Sequence, residues 1–201
     1  MTTATKPTLT MRLTSIYEAN VRAWLSGTYR RALNEGGTRS SKTFSILQLL
    51  FLIAKGSKSP LLISVVSESM PHLKRGVIRD WFNIVGETQG SSPAWNLTDH
   101  IYRMSPAEGV WVTPTSGGRG QTIIEFFPAD DASKLRGAGR DILFINEANN
   151  ISWEAYRELD VRTRLFVFLD WNPVSEFWAH EHLIGQPENC YIHSTYTDAL
   201  A

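Results

Sequence analysis

Residues 36–43 read Gly-Gly-Thr-Arg-Ser-Ser-Lys-Thr, small and hydroxyl-bearing residues closed by a lysine and a threonine. Such a run suits the cradling of a polyphosphate. Successive backbone N–H groups wrap the phosphate oxygens, and a helix that follows turns its positive end toward them. Lys42 would neutralise terminal phosphate charge, and Thr43 would hold Mg2+ through its hydroxyl. The candidate nucleotide-binding set is therefore Gly36, Gly37, Thr38, Arg39, Ser40, Ser41, Lys42 and Thr43. In the G-x-x-x-x-G-K-[ST] pattern the second glycine stands where this chain has Ser41. Serine carries a Cβ, so Ser41 is expected to avoid a positive φ. Lys42 is expected on an exposed loop, where it adds little to stability.

A second constellation follows in Asp141–Asn150. Ile142–Ile145 is apolar and ends in Asn146-Glu147, before Ala148-Asn149-Asn150 opens a loop. Ligands of open α/β sheets sit beyond the carboxyl ends of strands, so Asn146 and Glu147 would be delivered to the phosphate site. Glu147 is the candidate catalytic base, a carboxylate placed to orient and polarise water. Asn146 occupies the place of the aspartate that commonly meets Mg2+ through a water. Its amide oxygen can accept from a metal-bound water but carries no charge. A third stretch, Asp170-Trp171-Asn172-Pro173, ends the apolar run Leu165–Leu169, and Pro173 stops further ladder pairing. A polar residue there can sense the γ-phosphate; Asn172 is the first candidate for this coupling and Asp170 the second.

Other groupings carry less. His180, His182, Cys190 and His193 do not make a zinc set, because residues two apart on a helix point away from each other. Glu125, Asp130, Asp131 and Asp170 lack the spacing of a two-metal nuclease. Ser116–Gly120 is glycine-rich and carries Arg119, but no helix follows it, so it is not a second phosphate cradle.

These groups need a scaffold, and the chain supplies one. Its 201 residues are 42% hydrophobic, enough for one α/β domain with a real core. Lys plus Arg and Asp plus Glu both count 20, so any contact with nucleic acid must be local. The single Cys190 rules out an internal disulfide framework and suits a reducing cytoplasm. No apolar run is long enough to span a membrane, and Met1–Thr10 lacks a secretory core. Residues 1–12 read as a flexible leader and 13–201 as the domain.

Helical spacing over Leu13–Leu25 leads into a strand at Tyr29–Leu33, the phosphate loop and an apolar helix at Phe44–Ala54. Asn20, Tyr29 and Arg30 are expected on the surface. Leu61–Val66 is a continuously apolar strand of the kind parallel sheets bury on both faces. Pro71–Val85 reads as one helix with Lys74, Arg75 and Arg79 on a basic, solvated face. Short β-like runs at Ile101–Met104, Val110–Val112 and Thr122–Phe127 suggest antiparallel hairpins on one sheet edge. Helices over Ser152–Thr163 and Ser175–Ile184 and a last strand at Tyr191–Tyr196 complete the pattern. Ser152 is the expected N-cap of the first of these.

Three phrases in order, GGTRSSKT, LRGAGRDILFINEAN and LDWNPVSEFW, resemble the ATPase domain of the large terminase subunit of tailed bacteriophages. The resemblance spans roughly residues 25 to 200, and the closing HSTYTDAL resembles the family's exit from that domain. It implies an α/β P-loop NTPase of the additional-strand, catalytic-glutamate type. The sheet would be mostly parallel, flanked by helices, with an antiparallel edge extension. It further implies an ATP hydrolase that uses ATP and Mg2+ to drive double-stranded viral DNA into procapsids in the host cytoplasm. Partners would be the portal protein and the small terminase subunit, with a homo-oligomeric ring on the procapsid and a monomer alone.

Position by position, Gly36–Thr43 match Walker A, Ile142–Glu147 Walker B and Asp170–Pro173 the coupling motif. Arg136 matches a trans-acting arginine, with Arg140 its neighbour in the same loop. Ser41 and Asn146 depart from the commoner Gly and Asp. The family's nuclease domain would begin where this chain stops. Two rival functions stay open on the residues alone: a P-loop small-molecule kinase, and a nucleotide- or DNA-binding module that does not hydrolyse. Lys74, Arg75, Arg79 and Arg119 are the weak candidates for DNA contact.

Overall fold

A computed structural model describes residues 13–105, 121–131, 135, 137 and 139–199. The leader, the run Val110–Val112, the loop Ser116–Gly120 with Arg119, and Arg136 lie outside the described residues.

The strands, in chain order, are β1 (Arg31–Gly36), β2 (Leu62–Ser67), β3 (Trp95–Asn96), β4 (Ile101–Met104), β5 (Thr122–Pro128), β6 (Arg140–Ile145), β7 (Thr163–Trp171) and β8 (Asn189–Ser194). They form one sheet in the order β3-β4-β5-β2-β6-β7-β1-β8. The six strands from β5 to β8 pair in parallel, while β3 and β4 add the antiparallel edge that the turn-rich sequence suggests. β7 lies between β1, which leads into the loop at 36–43, and β6, which is followed by Asn146-Glu147. This is the additional-strand arrangement.

The helices are α1 (Ser15–Leu25), α2 (Lys42–Gly56), α3 (Met70–Arg75), α4 (Val77–Val85), α5 (Trp153–Asp160) and α6 (Trp178–His182). Alternation along the central strands sends side chains to two separate cores, since successive residues of a strand face opposite ways. Ile142 and Phe144 of β6 join Phe166 and Phe168 of β7 in the core shared with α1, α2 and α4. Leu143 and Ile145 join Val167, Leu169 and Trp171 in the core under α5 and α6. Both faces of the sheet are thus covered, which explains the unbroken apolar runs. Trp81 of α4 is wholly buried and makes edge-on ring contacts with Tyr102 and Phe126 at 5.6 and 6.0 Å. A core tryptophan of this kind contributes about 3–5 kcal/mol.

Several boundaries differ from the sequence reading. Pro71–Val85 is two helices, broken at Gly76, whose backbone (φ −108°, ψ −91°) leaves the helical region. The strand before the loop runs on to Gly36 because β7 and β8 pair with it on both sides. β7 continues through Asp170 and Trp171, so Asp170 belongs to the strand rather than the turn after it. Ser152 does cap α5, accepting from the Ala155 N–H at 3.1 Å.

Asn20 is not on the surface. It is fully buried and exchanges two hydrogen bonds with Asn34 of β1, at 2.7 and 3.0 Å, which anchor α1 to the strand. Arg30 donates inward to the Asp160 and Thr163 carbonyls. Polar residues on an amphipathic helix usually face water, so nothing in the local pattern marks Asn20 as an inside residue.

Gly36 is where the fold meets the loop. A Cβ built there would stand 2.1 Å from Ser194 Oγ and 2.5 Å from the Ser194 carbonyl oxygen on β8. The backbone contact leaves no escape by rotamer change. Gly36→Ala is therefore expected to cost about 1–3 kcal/mol and lower the melting temperature by roughly 3–10 °C. Gly37→Ala meets nothing within 4 Å and serves as the control. Equal melting curves for the two variants would contradict the close approach of β8.

Candidate functional site

The loop between β1 and α2 carries two residues in left-handed conformation, Arg39 (φ 69°) and Ser41 (φ 64°). The expectation that Ser41 avoids a positive φ is thus wrong. The turn that brings the chain round to the N-terminus of α2 requires αL there, and serine adopts it at a cost of about 1–2 kcal/mol. Ser40 stays buried, its hydroxyl 3.2 Å from Ser194 Oγ, so β8 backs the loop as well as Gly36.

Lys42 is buried rather than exposed, at 6%. Its ammonium donates to the Gly36 carbonyl at 2.6 Å, the Gly37 carbonyl and Ser40 Oγ at 3.1 Å, and Asn172 Oδ1 at 3.3 Å. Burial pushes its pKa down, while the carboxylates of Asp170, Glu147 and Glu35 work against that shift. Three negative groups face one lysine at the head of α2.

Asp170 sits at the centre. Thr43 Oγ1 donates to its Oδ2 at 2.5 Å, Asn146 Nδ2 donates to its Oδ1 at 3.0 Å, and the Glu147 N–H donates to its Oδ1 at 2.8 Å. Burial raises its pKa, and the bonds from Thr43 and the Glu147 amide oppose that rise. Hydroxyl and carboxylate oxygens side by side at a helix N-terminus are the hard donors a magnesium ion takes. Thr43 and Asp170 therefore fit the cation that the fold family implies. The Asn146 amide shows its donor side to this pair, while its oxygen lies 3.5 Å from Ser67 Oγ.

Glu147 follows in left-handed conformation (φ 55°), which turns its side chain out of the strand direction. The carboxylate remains partly exposed, with Asn150 Nδ2 3.4 Å from Oε2. It lines a cavity of about 310 Å3 together with Thr43, His72, Arg75, Asp80 and Asn146. Arg75 and His72 are residues whose place beside the site was not read from sequence. The break at Gly76 ends α3 beside the cavity that Asn146 and Glu147 line, and Gly76 was the signal that could have shown it. Lys74 and Arg79 are exposed, the latter paired with Asp80 at 3.0 Å.

The remaining polar residues have structural partners. His180 Nε2 lies 3.4 Å from Glu35, and His182 packs on Trp153 with ring centroids 4.4 Å apart. Arg140 is 2% exposed and donates to Ser64 Oγ and the Leu159 carbonyl, which removes it as an arginine for a neighbouring subunit. A larger groove of about 400 Å3, lined by Tyr17, Val21, Trp24 and Leu49 among others, is mostly apolar and lacks reactive groups.

No protein-family model matches the chain, and no curated protein does. Solved structures do match in fold. The large terminase of a thermophilic bacteriophage superposes with a TM-score of 0.75 at 14% identity, over 95% of this chain and 48% of that one. The same terminase in complex with ATP-γ-S gives 0.74 at 12% identity, over 94% and 46%. The large terminase ATPase domain of Thermus phage P74-26 gives 0.58 at 15% identity, over 92% and 82%. This chain spans about half the length of the first terminase. It shares the fold of these large terminase ATPase domains: a mostly parallel eight-stranded sheet with an antiparallel edge.

Proposed function

We propose that the chain is the ATPase domain of a viral DNA-packaging motor, hydrolysing ATP with Mg2+ to move double-stranded DNA. One observation carries this reading: Lys42 and Thr43 at the head of α2 meet the carboxyl ends of both β6 and β7. That convergence fits a polyphosphate and the water that attacks it. The likeness to a terminase solved with ATP-γ-S and with ADP supports the same choice.

In this mechanism the loop amides and the N-terminus of α2 hold the phosphates. Lys42 exchanges its loop acceptors for terminal phosphate oxygens and stabilises charge on the transferring group. Thr43 would hold a magnesium ion, which when bound would supply further positive charge to those oxygens. Glu147 orients water for in-line attack, without a covalent intermediate. Asn172, already 3.3 Å from the Lys42 ammonium, feels any movement of that lysine and is the coupling residue. Contacts with DNA would be to phosphates and independent of sequence. Arg75, beside Glu147 and Thr43, belongs to the nucleotide side rather than the DNA side. The portal protein, the small terminase subunit and a ring of copies are the partners of such a motor, working in the host cytoplasm. Among the described residues no helix is long and apolar enough to cross a membrane.

Three measurements test this reading. Lys42→Ala should abolish Mg·ATP binding. It should also lower stability by about 1–3 kcal/mol, since the acceptors it serves lose their donor. Retained turnover would remove the loop from the mechanism. Glu147→Gln should leave ATP affinity within a few-fold while turnover drops by roughly 10²–10⁴. A parallel loss of binding would make Glu147 structural, and a phosphorylated acceptor in place of free phosphate would favour a kinase.

Arg136 tests the assembly. An arginine finger is worth roughly 10³ or more in rate. Mixing Arg136→Ala with Glu147→Gln chains, each inactive alone, should recover part of the ATPase rate at their shared interface. No recovery, with a rate per molecule independent of concentration, would exclude action in trans.

A further inference from the structure

β6 and β7 run parallel with Ile145 opposite Leu169, so Asn146 and Asp170 end adjacent strands side by side. At this level only one of the two is an acid. Asp170 is 1% exposed, and its Oδ2 accepts from the Thr43 hydroxyl at 2.5 Å. Asn146 approaches the same carboxylate with its Nδ2, 3.0 Å from Oδ1 and 3.3 Å from Oδ2.

The orientation of the amide follows from its neighbours. Turning it over would set its oxygen against a carboxylate that has only acceptors to offer, and would lose the bond. As placed, the edge of Asn146 that faces Thr43 is an NH2 group with no lone pair for a hard cation. The charge and the oxygen that a magnesium ion needs next to Thr43 are both present, one strand away from the end of β6.

We propose that Asp170 of β7, and not the residue at the end of β6, is the anionic protein partner of the nucleotide's magnesium ion, with Asn146 the positioning residue that holds its carboxylate toward Thr43. The assignment rests on the nucleotide-binding reading above. It removes Asp170 from the coupling role and leaves that role to Asn172. It also answers the main chemical objection to Mg2+ binding, the missing acid at position 146: the acid facing Thr43 stands on β7 instead.

The test measures binding of a fluorescent ATP analogue to the whole chain with Mg2+ and with EDTA, taking the ratio of the two affinities. Asp170→Asn should lower that ratio by about 10–100-fold. The exchange variant Asn146→Asp/Asp170→Asn should restore most of it, because one carboxylate and one amide again face Thr43. An unchanged ratio in Asp170→Asn, or an exchange variant that folds but stays as weak as the single one, overturns the assignment.

Should Asp170→Asn fail to fold, the wild-type chain still decides. With Mn2+·ADP bound, pulsed EPR should show coupling to carboxyl-13C aspartate and none to amide-13C asparagine. Coupling to asparagine, or to neither, overturns it. A wild-type chain that binds no nucleotide even with Mg2+ overturns the motor reading itself. Binding with a Mg2+ effect indifferent to Asp170 overturns only this assignment.

Discussion

A single buried carboxylate joins three elements of this fold. Asp170, on β7, accepts from Thr43 at the head of α2, from the Asn146 side chain at the end of β6, and from the backbone N–H of Glu147. A buried charge is tolerated only when it is paired and hydrogen-bonded. Here the donors, with Lys42 nearby, supply that compensation. In return the carboxylate aligns the start of α2 with the end of β6, where Glu147 follows. Without the strand inserted between β1 and β6 there would be no place from which one side chain could reach both.

The backbone around this point is the least relaxed part of the chain. Of the four non-glycine residues at positive φ among the described residues, Arg39, Ser41 and Glu147 lie on the loop or beside it. Each such conformation costs of order 1–3 kcal/mol and persists only where the surroundings over-determine it. The surroundings here are β7 and β8 on either side of β1, and the contact of Gly36 with Ser194 leaves the first turn of the loop no freedom to relax toward β8. A rigid parallel sheet thus holds a strained loop against the carboxyl ends of its strands, where ligands of such sheets bind.

The fold was legible where the pattern is local and repeated. The apolar runs Leu61–Val66 and Leu165–Leu169 do give strands, covered on both faces from Ile63 to Val66 and from Phe166 to Leu169, with Leu165 exposed, and the small-residue loop before Lys42 does open a helix. What could not be read depended on partners distant in sequence. Asn20 is inside because Asn34 waits for it on β1, and Lys42 is buried because Asn172, on the far side of the domain in sequence, closes over it. Asp170 looked like a turn residue because Pro173 ends the ladder three positions later, yet pairing of Glu35 with Trp171 carries β7 past it. The residue types of the site were visible one by one. Which acid faces Thr43 is a matter of strand register, and register is a tertiary property.

Trp171 gives the site an optical consequence. Its indole is 1% exposed, directly follows Asp170, and donates through Nε1 to Glu35 at 3.1 Å, one residue before the loop begins. The same Glu35 accepts from Tyr191 of β8. Trp171, one of the seven tryptophans in the chain, is thereby hydrogen-bonded to the strand residue that precedes the loop at 36–43. Its indole is thus a buried optical probe fixed to the residue just before the loop, and a rearrangement that moved Glu35 would change its surroundings.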